Sequence, residues 1–255
     1  MPERLRWAAF GCPHVPLHDR EATGWMLDTI ARHRPDVVVH LGDGHEADSA
    51  SRWPSEYAWT LADEFEAHNK FLAAVGKAAP KARKVFCWGN HDANLLAINR
   101  LDRRVRGLCD PRQHEPELRG WQHVPYIYCR TRGVYRLGQV TFAHGYEHAS
   151  RSGEYQAILL GQPYGLLVAA HTHRPEPVTQ AMRSPTVPLP YWYSNVGCLR
   201  DLKPPYVERK RTHAWGHAVA LGEADNVKSP RLRRCWDARV EVFRWYDEWA
   251  SAKGA

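Results

Sequence analysis

The 255-residue sequence predicts a mixed α/β fold: two sheets forming a sandwich, one half parallel and the other more antiparallel, with flanking helices. Three observations predict it. Short apolar runs alternate with helical stretches over the first third of the chain. Later runs follow one another without long helices. Five of the runs end in a small polar cluster.

The elements follow in order. Leu5 to Gly11 reads as a strand, then a helix runs from about Asp19 to Arg34. Pro35-Asp36 punctuates, and Val37 to Leu41 is apolar enough for a strand buried on both faces. A stretch with helical spacing covers about Pro54 to Gly76, and Val85 to Trp88 is a third strand. Such a βαβαβ rhythm demands parallel pairing with right-handed crossovers. Gly165 to Ala169 is a further apolar run, Val134 to Phe142 reads as a hairpin around Gly138-Gln139, and strands are predicted near Tyr191–Val196, Gly216–Leu221 and Arg239–Phe243.

Composition narrows the class. With 44% hydrophobic residues, 11 Trp and 11 Tyr, the chain can build a core for a single domain over 1–255, with a basic cap or insert at about 100–132. No apolar run approaches the roughly 20 residues of a spanning helix, and Met1 to Trp7 lacks a signal-peptide core. The six cysteines show no CxxC pairing. These features predict a cytoplasmic protein with reduced thiols and no membrane partner. The net charge of +7 is concentrated in 100–136 and 200–234, each with nine Lys/Arg against four acids. Those segments, with Trp121, Tyr126, Tyr128, Tyr191, Trp192 and Tyr193 as stacking surfaces, would suit nucleic acid.

The polar clusters carry the chemistry. They are Cys12-Pro13-His14, Gly42-Asp43-Gly44-His45-Glu46, Gly89-Asn90-His91-Asp92, His144-Gly145 and His171-Thr172-His173. Ligands in a parallel sheet bind beyond the carboxyl ends of the strands, where these clusters fall. Together they offer imidazoles, a carboxylate, an amide and a thiol, the ligand set of a two-metal hydrolytic site. Asp43 suits a bridge between two cations. His171 and His173, two apart in an extended segment, share a face and can each serve one metal. His40, inside a Val-rich strand, reads as a satisfied core histidine, and Cys87 as an inert buried thiol.

In this order the clusters, CxH, GDxxE, GNHD, HG and HTH, resemble the calcineurin-like metallophosphoesterase superfamily over roughly residues 8 to 200. The resemblance implies a four-layer αββα sandwich of two mixed sheets flanked by helices. By motif position it implies that Cys12, His14, Asp43 and His173 hold one divalent metal, and that Asp43, Asn90, His144 and His171 hold a second. His91 would be the acid at the leaving group and Glu46 the carboxylate that orients its imidazole. His45, Asp92 and His148 lie close enough in sequence to contact substrate. A metal-bridging hydroxide would attack phosphorus in line, with no covalent intermediate.

Departures from the superfamily pattern carry information. Cys12 stands where most members have Asp, which softens that site toward iron or zinc, manganese remaining an option. Gly11-Cys12-Pro13-His14 is similar to the GCxH opening of RNA lariat debranching enzymes, and Ser194 to Cys198 resembles a turn of phage and bacterial members. Ala47 replaces the phosphate-clamping Arg of the protein phosphatases, which argues against a phosphoprotein substrate. The sequence reading is therefore a dinuclear-metal phosphodiesterase acting on nucleic acid or nucleotides. Its alternatives are a small-molecule phosphomonoesterase and an inactive metal-binding scaffold.

Overall fold

Alternation along the first strand sets the layering. The computed structural model describes residues 3–50, 59–101, 103–147, 152–181, 189–203, 214–226 and 233–246. In β1 (Arg4–Phe10), Trp7 and Ala9 point into one apolar cluster while Ala8 and Phe10 point into another. Successive side chains of a strand face opposite ways, so this strand is covered on both sides. Val37 and Val39 against Val38 in β2 (Val37–His40), and Val85 against Phe86 in β3 (Arg83–Cys87), repeat the division.

Helix α1 (Arg20–His33) starts at Asp19, whose carboxylate accepts the Ala22 N–H at 2.8 Å, and ends on Arg34 in the left-handed region. Its Ala22, Met26 and Ile30 share one stripe and meet Phe71, Leu72 and Val75 of α2 (Leu61–Ala78) over the sheet. Helix α2 begins later than the apolar spacing predicts. Thr60 and Asp63 form a capping box that fixes its start at Leu61, and 51–58 lie outside the described residues. Beyond β3 come α3 (Asn90–Leu101), α4 (Pro111–His114) and the short β4 (Gln122–Val124).

The strands form two mixed sheets. The first has six strands in the order β11-β10-β1-β2-β3-β4, with β1 to β4 parallel and β10 (Gly216–Asp225) antiparallel to both β1 and β11 (Trp236–Trp245). The second is ordered β5-β6-β7-β9-β8, comprising β5 (Tyr135–Leu137), β6 (Val140–Phe142), β7 (Leu166–Ala169), β8 (Pro175–Gln180) and β9 (Trp192–Val196). Here the expectation of an antiparallel second half needs correction. β5 and β8 are antiparallel edges, but β6, β7 and β9 run parallel. The reason is α5 (Ser152–Leu160), a crossover helix between β6 and β7 that the sequence reading passed over.

Trp7, Val39, Val85, Phe142, Leu166 and Val168 fill the space between the sheets, where Trp7 and Phe142 meet edge-to-face at 5.1 Å. Ala157 and Leu160 of α5 cover Leu167 on the outer face of the second sheet. The result is the four-layer αββα sandwich, each fully buried Leu or Phe contributing about 1.5–3 kcal/mol. Among the described residues no helix is long and apolar enough to cross a membrane.

Candidate metal centre

Five parallel strands, β1, β2, β3, β6 and β7, end at Phe10, His40, Cys87, Phe142 and Ala169, and the next residues of each form one rim. The loops are tied to one another by their backbones. Cys12, His14 and Val15 donate N–H to the carbonyls of Gly42, Asp43 and Gly44, and Ala170 donates to that of His144. A Cβ at Gly42, whose φ is +87°, would land on the Gly89 amide, so this approach of the β2 and β3 loops requires glycine. Cys12, His14, Asp43, His171 and His173 all lie in the left-handed region, with φ between 49° and 67°. Each such residue costs on the order of 1–3 kcal/mol, and strain of this kind gathers where side chains must be aimed.

The aimed atoms converge. His144 Nε2 lies 3.2 Å from Asp43 Oδ2, 3.1 Å from Asn90 Oδ1 and 3.1 Å from His171 Nδ1. Its Nδ1–H already donates to the Leu41 carbonyl at 2.6 Å. In the neutral tautomer that bond leaves a lone pair on Nε2, facing three further lone pairs. On the other side of Asp43, His14 Nε2 is 3.7 Å from Oδ2 and 3.1 Å from His173 Nε2. The Cys12 thiol joins His14, Asp43 and His173, with one ligand atom from each lying within 4.8 Å of the others. Lone pairs brought this close, all buried but for the half-buried Asn90, fit a cation on each side of Asp43. The structure thus brings together all seven residues that the sequence reading assigned to metals.

In the metal-free chain both His144 and Cys12 hold their protons more tightly than usual. Burial pulls His144 down, but Asp43 outweighs it and the metal-free imidazole is raised. Burial, and then Asp43, hold the Cys12 thiol well above its usual range. A divalent cation bound there would displace both protons. Cys12 Sγ also accepts the His171 N–H at 3.3 Å, which aims it toward the rim.

His91 lies beside this set, half-buried, its ring 4.7 Å from that of His14. Its N–H donates to Asp43 Oδ1 at 3.0 Å, and its Nδ1–H to the main-chain carbonyl of Glu46 at 2.5 Å. The expected role of the Glu46 carboxylate is corrected here. That carboxylate lies 2.9 Å from His14 Nδ1 and 3.3 Å from the guanidinium of Arg200, so it orients His14, and only the Glu46 backbone orients His91. Burial raises the Glu46 carboxyl, but Arg200 and His14 outweigh it and hold it at about 2. Arg200, fully buried, was missed by the sequence reading, because nothing local marks one arginine among the many of 200–234 as buried.

His45 and Asp92 stand behind the centre and do not face substrate. Both are fully buried. Asp92 Oδ1 accepts the N–H groups of Gly44 and His45 and meets His45 Nδ1 at 2.9 Å, while its Oδ2 accepts the Gly89 N–H. His45 Nε2 meets Glu115 at 2.5 Å, and the other Glu115 oxygen meets His68 Nδ1 of α2 at 2.6 Å. These distances are those of short hydrogen bonds. Substrate contact by either residue is excluded by a carboxylate and an imidazole already saturated inside the fold. His148 lies outside the described residues. His40 is buried, with Nδ1 accepting the Gly42 N–H and Nε2 lacking a partner among the described residues, so within them it is only half satisfied.

An αββα sandwich that gathers nitrogen, oxygen and sulfur ligands around one carboxylate at its strand ends defines a class, the metal-dependent phosphoesterases. The chain belongs to the calcineurin-like phosphoesterase family, which it matches over residues 5–221. Similar solved structures include Yfce, a phosphoesterase from E. coli, at 16% identity over 87% of this chain and 88% of that one, with a TM-score of 0.41. Vacuolar Protein Sorting 29 from Cryptosporidium parvum is similar at 12% identity, over 93% and 97%, with a TM-score of 0.44. Zinc-complexed Vps29 from Entamoeba histolytica is similar at 14%, over 94% and 99%, with a TM-score of 0.40. No curated protein matches the sequence.

Proposed function

We propose that the chain is a phosphodiesterase that holds two divalent cations and acts on nucleic acid or nucleotides. The observation that carries the reading is the convergence of Asn90 Oδ1, His171 Nδ1 and the Asp43 carboxylate on His144 Nε2, with a second set across Asp43. Two cations held there would supply a water of low pKa and offset charge on the phosphate oxygens. The chain's own part is positional. Asp43 would sit between the cations, Glu46 fixes the His14 ring, and His91, its Nδ1–H held by a carbonyl, keeps Nε2 for a departing oxygen.

Preference for a diester in nucleic acid is supported by the charge of 100–136. Within it Arg130 and Arg132 are exposed, and Arg112 is paired with Asp110. In the second basic segment, 204–213 and 227–232 lie outside the described residues. A hydrolysis panel tests the proposal, with bis-p-nitrophenyl phosphate, p-nitrophenyl phosphate, and single-stranded, duplex and branched nucleic acids, each with several metals. Turnover of diesters that chelation removes and divalent metal restores is the expected result. Faster cleavage of the monoester than of every diester would move the function to a small-molecule phosphomonoesterase.

Cys12 is proposed as the ligand that sets metal preference. The sulfur should favour Fe²⁺ or Zn²⁺ in the first site, and Cys12→Asp should shift the preference to Mn²⁺. Activity after reconstitution of both proteins with each metal measures this. A cobalt-loaded wild type should also show a thiolate-to-metal charge-transfer band. An unchanged metal ranking together with no band would place Cys12 as a buried apolar side chain.

A further inference from the structure

A ladder of three tyrosine rings runs outward from the metal centre. Tyr126 lies 5.7 Å from the His144 ring, centroid to centroid. Tyr146 stacks on Tyr126 at 4.8 Å and 25°, and Tyr128 leans on Tyr146 at 4.7 Å and 44°. The ladder is braced from behind. The Tyr146 hydroxyl donates to the Ile127 carbonyl at 2.7 Å, and its backbone N–H donates to Gln156 of α5 at 2.9 Å. Cys129 donates to Ile127 and Gly133 to Cys129, closing the loop that carries Tyr128. A Cβ at Gly133 would collide with the Ile127 carbonyl, so the loop closes this tightly only with glycine there.

Packing does not account for the outer rung. Tyr128 is 45% exposed and Ile127 beside it 38%, on a tightly closed loop. Arg130 and Arg132 of the same loop are exposed. Stacked rings whose outermost member is exposed, next to a site for phosphate, offer a surface on which an unpaired base can stack.

We propose that the Tyr126–Tyr146–Tyr128 ladder is a base-stacking platform, with Tyr128 taking a nucleobase of the ester that the metal centre cleaves. The substrate class is then a phosphodiester with a nucleoside on the side opposite the leaving group. This rests on the phosphodiesterase reading and adds a specificity element to it. Stacking tolerates any base, so the platform would select nucleotides over other diesters without selecting sequence.

Two diesters that share a leaving group isolate the effect: thymidine 5′-p-nitrophenyl phosphate and methyl p-nitrophenyl phosphate. In wild type the nucleoside ester should be preferred in kcat/KM by about 5- to 100-fold, the range for one stacked base. Tyr128→Ala should remove most of that preference, chiefly through KM, and Tyr128→Trp should retain it. Single-stranded oligonucleotides added to the series separate a nucleotide substrate from a nucleic acid, since further bases tighten binding only for the latter. A second measurement needs no turnover. Fluorescence of 2-aminopurine riboside 5′-monophosphate should be quenched by the metal-loaded wild type and by Tyr128→Trp, and not by Tyr128→Ala. Equal preference in wild type and Tyr128→Ala, with equal quenching, would overturn the platform. If neither diester is hydrolysed but quenching still depends on Tyr128, the phosphodiesterase reading fails and the base site stands.

Discussion

His91→Ala is expected to lower turnover by about 10² to 10⁴, the range for loss of one general acid, while both cations stay bound. His91 adjoins the centre, close to His14 and Glu46, and the proposed mechanism places it outside the ligand set. Its main chain bonds Asp43 and its Nδ1–H bonds the Glu46 carbonyl, so the ring is held from one side and its Nε2 remains for proton transfer. Burial lowers this imidazole, yet Asp43 and Glu46 raise it further than burial lowers it, which favours the protonated form in the metal-free chain. The loss should shrink for esters with acidic leaving groups, because those depart without a proton. Metal content of the purified variant and a leaving-group series are the two measurements. Loss of one metal equivalent would make His91 a ligand, and a leaving-group-independent loss would make its role one of binding.

Much of this centre is legible in the sequence because its ligands sit at strand ends. A run such as Val37 to Leu41 announces a strand buried on both faces, and the Gly-Asp-Gly that follows can only be the turn at its end. Helix α1 was equally readable, from an Asp cap and a clean apolar stripe. What escaped is tertiary. Helix α3 starts within the Gly89 to Asp92 motif and buries only Asp92 and Leu95, so it shows too little periodicity to be seen. Strand β4 has three residues, below any period. Glu115 is 70 residues from His45, and nothing near it distinguishes a buried carboxylate from an exposed one. Arg200 escaped for the same reason. Where a charge is buried, its partners lie elsewhere in the chain, and local pattern has no access to them.

Glu115→Gln should destabilise the fold by about 3–5 kcal/mol, the usual cost of removing one member of a buried ion pair. Its carboxylate meets His45 with one oxygen and His68 with the other, all three side chains being fully buried. Burial raises the Glu115 carboxyl, but His68 and His45 outweigh it and hold it at about 2. An amide can accept from only one of these rings and turns its NH₂ toward the other; His68, whose imidazole burial keeps neutral, can accept that NH₂ at Nδ1 only by moving its proton to Nε2, which is buried with no partner among the described residues. The pH dependence has a definite sign. A carboxyl whose folded value lies below its ordinary 4.5 adds stability that is present above that pH and lost as pH falls toward about 2. Denaturant unfolding should therefore show the variant far weaker than wild type at pH 7, with the gap closing between pH 4.5 and 2. The damage should also reach the metals. His45 is held from its other side by Asp92, which collects the N–H groups of Gly44, His45 and Gly89, and those loops carry Asp43 and Asn90. Cation affinity is accordingly expected to fall by about 10- to 100-fold, as for other residues that orient ligands. Destabilisation without loss of affinity would confine Glu115 to packing; a gap that stays constant down to pH 2 would remove its charge from the account.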